Sequence, residues 1–122
     1  MNTILVVDDR PDSRYVTTRV LAAAGFDVRE TATGRDALRL ARTSPDVIVL
    51  DIALTDIDGF EVCRRLKTDV ATRAIPVIHK TSVYRELEHR RRGLAAGADE
   101  YLVDPTEPAV LIETVRRFLP GR

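Results

Sequence analysis

Two short apolar runs constrain this chain most: Ile4-Leu5-Val6-Val7 and Val47-Ile48-Val49-Leu50, neither interrupted by a polar residue. A half-buried strand alternates apolar and polar residues, whereas a strand covered on both faces of a parallel sheet reads as one continuous β-branched and leucine-rich run. Carboxylates follow each run directly, the pair Asp8-Asp9 after the first and Asp51 after the second. Open α/β sheets bind ligands at the carboxyl ends of their strands. If the two strands are neighbours, three negative charges meet at one end of the sheet. Such a cluster is costly unless it holds a cation, and carboxylate oxygens suit a hard ion such as Mg²⁺.

The rest of the chain alternates helix and strand in the same way. A strand over about 3–7 leads to a helix over roughly 12–24, with Pro11 near its first turn and Gly25 as its stop. A short second strand over 26–29 precedes a helix over 34–42, which ends at Ser44-Pro45 because a residue before proline avoids helical geometry. A third strand over 46–50, a loop over 52–59 and a helix over 59–68 follow. A fourth strand covers 76–80, a fourth helix about 84–96 with Gly97 closing it, and a fifth strand 100–103. A last helix over about 107–118 carries Val110, Leu111, Val115, Phe118 and Leu119 at helical spacing. This alternation predicts a parallel sheet with helices on both faces and right-handed crossovers.

At 122 residues the chain has the size of one domain, 1–122, able to bury a core without disulfides or a structural metal. Lys plus Arg equals Asp plus Glu at 19 each, so net charge argues for neither a nucleic-acid nor a membrane surface. Cys63 is the single cysteine and reads as a small packed residue in a reducing compartment. No basic-plus-apolar leader and no apolar stretch near 18 residues is present, so the expectation is a cytoplasmic protein without an output domain.

With these elements in place, the chain resembles the receiver domain of two-component response regulators from end to end. The matching segments are Ile4-Leu5-Val6-Val7-Asp8-Asp9, then Asp51 with Asp58-Gly59 after it, and Ile75-Pro76-Val77-Ile78 leading to Thr81-Ser82. The last is Gly97-Ala98-Asp99-Glu100-Tyr101-Leu102, followed by Pro105. The resemblance implies a flavodoxin-like α/β fold, a doubly wound five-stranded sheet in the order 2-1-3-4-5, which puts the first and third strands side by side. It implies Asp51 as phosphoacceptor, with Asp8, Asp9, Asp51 and the backbone carbonyl of Ala53 as Mg²⁺ ligands. It implies Thr81 as a hydroxyl that swings toward the phosphoryl group and Tyr101 as an aromatic switch that turns inward behind it. The implied partners are a histidine kinase or phosphotransfer protein and a downstream target docking on the face of the fourth helix, fifth strand and last helix. No direct nucleic-acid or membrane contact is implied, and a homodimer through that face stays open.

The chain departs from the family at one charged position. Where the family carries a lysine before the proline after strand five, this chain has Asp104. Opposite charges near 4 Å attract by roughly 4 kcal/mol at an effective dielectric of 20, so exchanging attraction for repulsion predicts slower phosphorylation or a looser switch. Lys80 precedes Thr81, but the strand period of two sends neighbouring side chains to opposite faces and argues against it as a replacement. Arg10 is the other candidate. The loop after Asp51 has Thr55 and Asp56 where the family has a proline, and Ser82 stands where a small alanine is common.

Plainer readings stand beside these. Asp8 and Asp9 are compatible with capping the first helix, Asp51 with a strand-end turn, Thr81 with a helix cap and Tyr101 with a half-buried strand residue. His79 and His89 lack metal-ligand spacing and read as structural or surface residues, and Arg90-Arg91-Arg92 as a solvated helix face. A receiver without phosphorylation, acting as a binding scaffold, is the alternative that Asp104 favours. A haloacid-dehalogenase-like hydrolase is disfavoured, because Ala53 stands where such enzymes carry a second aspartate. A flavin carrier is disfavoured because the loop after strand one is acidic rather than hydroxyl-rich.

Overall fold

The computed structural model describes residues 2–82, 91–92 and 95–119, with the backbone alone for Thr81 and Ser82. The chain runs through β1 (Thr3–Val7), α1 (Pro11–Ala23), β2 (Asp27–Thr31), α2 (Gly34–Ala41), β3 (Val47–Asp51), α3 (Gly59–Thr68), β4 (Val77–Ser82), β5 (Glu100–Asp104) and α4 (Pro108–Arg117). All five strands are parallel and ordered β2-β1-β3-β4-β5. The fourth helix expected over 84–96 falls largely outside the described residues; 91–92 and 95–96 are helical. No helix among the described residues is long and apolar enough to cross a membrane.

The two apolar runs are buried for the reason their composition suggests. Successive side chains of β1 and β3 leave the sheet on opposite faces. Leu5, Val7, Ile48 and Leu50 pack with Ala37, Val62, Cys63 and Leu66 under α2 and α3. Ile4, Val6, Val47 and Val49 pack with Leu21, Leu111 and Val115 under α1 and α4. Each large aliphatic side chain buried this way contributes roughly 1.5–3 kcal/mol, so the central strands hold both helical layers. Cys63 is one of these core residues: its thiol contacts the Ala96 carbonyl, and burial pushes its pKa up to about 11, which keeps it unreactive.

Helix ends follow local chemistry. Gly25 closes the turn after α1 at a φ of 97°, in the left-handed region glycine tolerates best. Gly59, at the start of α3, is required for a different reason: a Cβ there would stand 2.6 Å from the Ile52 Cα and 2.7 Å from the Asp51 carbonyl oxygen. That close approach lays α3 directly on the backbone that carries Asp51.

Three strands extend further at their carboxyl ends than their apolar residues suggest. Asp51 and Asp104 are the last residues of β3 and β5, and β4 continues through Ser82. The sheet's hydrogen bonds carry on past the apolar positions, with the Ile52 amide donating to the Lys80 carbonyl at 3.2 Å. The polar residues at these ends are therefore held by the ladder and share its rigidity.

Candidate functional site

Adjacency of β1 and β3 brings Asp8 and Asp51 together at the carboxyl edge of the sheet. Asp8 is almost fully buried, at 3% exposure. Its Oδ1 accepts from the Arg10 amide at 3.0 Å, and its carbonyl accepts from the Arg14 guanidinium at 2.9 Å. Arg14 also pairs with Glu30 at 2.9 Å, so α1 and β2 jointly brace the loop after β1. Asp51 is half-buried and its Oδ1 accepts from the Ala53 amide at 3.0 Å. Asp9 is half-buried and Ala53 exposed.

The charge state of Asp51 reflects this crowding. Burial pushes its carboxyl up to about 6 from the usual 3.8, and the Ala53 amide opposes the rise. The charge of Asp8 and a hydrogen bond between the two carboxyl groups raise it further, while Lys80 lowers it. A partly buried carboxyl group raised further by a neighbouring carboxylate is a cation site in chemical terms. Mg²⁺ needs only one or two protein carboxylates and keeps several waters, so the Asp8–Asp51 pair fits it. Among the described residues no group of three or more His, Cys, Asp or Glu side chains stands close enough to hold a metal, so Asp8 and Asp51 are the assembled part of the site and Asp9 would have to turn toward them to join it.

The other candidate residues spread over β4 and β5. Thr81 pairs with Val103 in the sheet, one step beyond the pairing of Lys80 with Leu102; its side chain lies outside the described residues. Tyr101 is turned inward at 8% exposure, its ring 6.3 Å from that of His79, which also meets Phe60 edge-on at 5.5 Å. His79 is thus a core residue, as the absence of ligand spacing suggests, and His89 lies outside the described residues. Of the basic run, Arg91 and Arg92 are exposed; Arg92 stacks over Phe60 at 4.2 Å and sits 3.5 Å from Asp58.

Lys80 requires a correction. The period of two holds: Lys80 follows Ile78 onto the face covered by α1 and α4. The exclusion based on that period fails, because the site lies at the sheet's edge and not on one face. A four-carbon stem carries the ammonium to that edge, where Nζ stands 3.5 Å from Asp104 Oδ2 and donates to Thr17 Oγ1 at 3.1 Å. Arg10, the other candidate, is directed to solvent, 3.9 Å from Asp12.

Asp56 is a site residue that the pattern of the chain did not single out. Its carboxylate accepts from the Gly34 amide at 2.8 Å and the Arg35 amide at 3.0 Å, capping α2 from the loop after Asp51. Those bonds, the Gly34 amide first, hold its pKa below the ordinary value. The loop that lacks the family's proline is therefore tethered electrostatically at the end of a helix. Asp56→Ala is expected to lower stability by about 1 kcal/mol, the usual loss for a helix cap, and to speed amide exchange at Gly34 and Arg35. Unchanged protection at both amides in hydrogen-exchange measurements would show that the tether is dispensable.

Comparison with known proteins places the chain. The model of the response regulator receiver domain matches residues 4–116, and the chain belongs to that family, a component of two-component signal transduction. It is similar to protein PilH of Pseudomonas aeruginosa, 37% identical over 99% of this chain and 100% of that protein. Other curated relatives, 36–39% identical, are longer, and the chain spans 25–52% of their lengths. Among solved structures it is similar to chemotaxis protein CheY4 of Vibrio cholerae, with a TM-score of 0.89 and 31% identity over 98% of this chain and 99% of that one. It is also similar to the receiver domain of a P. aeruginosa sensor histidine kinase, with a TM-score of 0.88 and 30% identity over 96% of both chains. That structure has a magnesium ion coordinated in the active site cleft.

Proposed function

We propose that this domain accepts a phosphoryl group on Asp51 from a histidine kinase or phosphotransfer protein, in the cytoplasm. The observation that carries the reading is the Asp8–Asp51 pair at the carboxyl ends of adjacent strands, with Asp51 raised to about 6. In the transfer, an Asp51 oxygen attacks phosphorus, the bond from phosphorus to the donor nitrogen breaks, and the imidazole leaves with its electron pair. The product is an acyl phosphate on Asp51. Asp8, Asp9, Asp51 and the Ala53 carbonyl would hold Mg²⁺, which when bound would neutralise phosphoryl oxygens and favour the ionised Asp51 carboxylate. The Ala53 amide fixes the attacking carboxylate, and α3, packed through Gly59 on the Asp51–Ile52 backbone, keeps that backbone from yielding.

The new oxygens add negative charge and acceptor capacity at the carboxyl end of β3. In this reading Thr81, at the carboxyl end of β4, is the hydroxyl residue of the switch, and Tyr101, buried beside His79, is its aromatic partner. Together they bias the face that includes β5 and α4, where a target docks or a second copy pairs. A phosphorylation-independent scaffold is the second reading, favoured by Asp104 at the position where the family carries lysine.

Incubation with acetyl phosphate and Mg²⁺, followed by intact-mass measurement, separates the two. A mass gain of one phosphoryl group that Asp51→Asn lacks is the expected result. No gain, even with a purified phosphotransfer donor, favours the scaffold.

A further inference from the structure

Resting on the phosphoacceptor reading of Asp51, we propose that Lys80 supplies the positive charge facing the phosphoryl group, with Asp104 as its resting partner. The cation that the family places at the end of β5 is thereby moved one strand across, and a carboxylate takes its old position.

The sheet sets the geometry. β4 lies between β3 and β5, with Lys80 in register with Asp51 on one side and with Leu102, two residues before Asp104, on the other. The Lys80 side chain is 9% exposed, so its stem is covered and its ammonium confined to the carboxyl edge of the sheet. Val16, Val20 and Leu111 line a groove of about 300 Å³ between α1 and α4, and Lys80 and Asp104 lie at its upper end. Buried ammonium groups need partners. Among the described residues Thr17 accepts one ammonium hydrogen and Asp104 faces the ammonium as an ion pair at 3.5 Å, leaving donors for another acceptor. Asp104 is held in turn by Thr106, whose hydroxyl donates to Asp104 Oδ1 and to the Val103 carbonyl, both at 3.1 Å.

Electrostatics point the same way. Lys80 and Asp51 are register partners on adjacent parallel strands, so their side chains leave the same face of the sheet. A phosphoryl group brings close to two negative charges, a stronger attraction for the ammonium than the single charge of the half-exposed Asp104. Phosphorylation therefore draws Lys80 from Asp104 toward Asp51 and loosens the β5–α4 turn that Thr106 and Asp104 tie down. Asp104 holds the cation in reserve and tempers the reaction by competing for it.

The test uses the full chain in four forms: wild type, Lys80→Met, Lys80→Met with Asp104→Lys, and Asp104→Asn. Phosphoryl accumulation from acetyl phosphate is followed by intact mass, and Mg²⁺ affinity is titrated without donor. Methionine keeps the packed stem and removes the charge, so Lys80→Met is expected to slow phosphorylation about 10²-fold, the usual effect of deleting one charge-stabilising group, and to tighten Mg²⁺ binding. Lysine at 104 is expected to restore the rate to within about tenfold of wild type, which a purely structural role for Lys80 would not allow. Asp104→Asn keeps Lys80 and decides the matter even if Lys80→Met fails to fold: it is expected to phosphorylate several-fold faster. Wild-type rates in both Lys80→Met and Asp104→Asn overturn the inference and leave the phosphoacceptor reading intact. If wild type itself gains no phosphoryl group, that reading fails, and an unchanged Mg²⁺ affinity in Lys80→Met then overturns the inference as well.

Discussion

In metal-free buffer at pH 7.5, Asp51→Asn is expected to be more stable than wild type by about 2–3 kcal/mol, with the gap closing below pH 4. The folded protein holds the Asp51 carboxyl at about 6 against 3.8 in an unpaired chain, chiefly by burial and then through Asp8. A raised folded value means that the native state binds the proton more tightly than the unfolded one. Below pH 4 both states carry the neutral acid, and asparagine, its near isostere, gains nothing. Between pH 4 and 6 the unfolded chain ionises more readily, so wild-type stability falls as pH rises; above 6 the loss is complete. About two units at about 1.4 kcal/mol each give the magnitude. Urea melts of both proteins across pH 4 to 8 measure it directly. Equal stability at pH 7.5, or a gap that does not move with pH, would mean that burial and Asp8 do not hold the Asp51 carboxyl above its ordinary value.

That raised value is the physical signature of a site, and the site's main parts could be read from residue order. Ile4–Val7 and Val47–Leu50 announce strands buried on both faces, and those positions are 0–1% exposed. Once the two strands are neighbours, the carboxylates that follow them must meet, and Asp8 and Asp51 do. Helix boundaries marked by proline or glycine fall within a residue or so of their places, because Pro11 and Gly25 act through local geometry.

Residue order argues against Lys80 and marks Asp56 only as standing where the family has a proline, for a common reason. Periodicity tells which face of an element a side chain leaves from, but it is silent on how far a flexible stem carries the charge along that face. Lys80 departs toward α1 and still reaches the edge where β3, β4 and β5 end. Asp56 bonds amides 22 and 21 residues away in the chain, reaching from a loop without periodicity to the first turn of α2. The carboxyl ends of β4 and β5 were underestimated similarly. Thr81, Ser82 and Asp104 are polar and resemble loop residues, while the ladder that holds them is a property of the neighbouring backbone.

Metal binding should separate the three carboxylates that composition alone treats as equivalent. Asp8→Asn is expected to raise metal-free stability at pH 7.5 by about 1 kcal/mol, because it relieves the charge on Asp51. It is also expected to weaken Mg²⁺ binding at least tenfold, within the range usual for loss of a metal-site partner. Asp9 acts differently: it is half-buried and no part of what raises Asp51. Asp9→Asn should therefore weaken Mg²⁺ comparably while leaving metal-free stability nearly unchanged. In wild type, Mg²⁺ at 100 times its dissociation constant should stabilise the fold by about 2.7 kcal/mol, and neither variant should show that gain at the same concentration. Calorimetric titration gives the affinities and urea melts with and without Mg²⁺ the stabilities. A carboxylate that binds metal strains the metal-free protein and relaxes when the cation arrives; one that merely caps a helix start does the reverse. If Asp8→Asn destabilises the metal-free protein and leaves Mg²⁺ affinity untouched, the bond from the Arg10 amide is the whole of Asp8's role, and the cation site must be sought elsewhere on this edge.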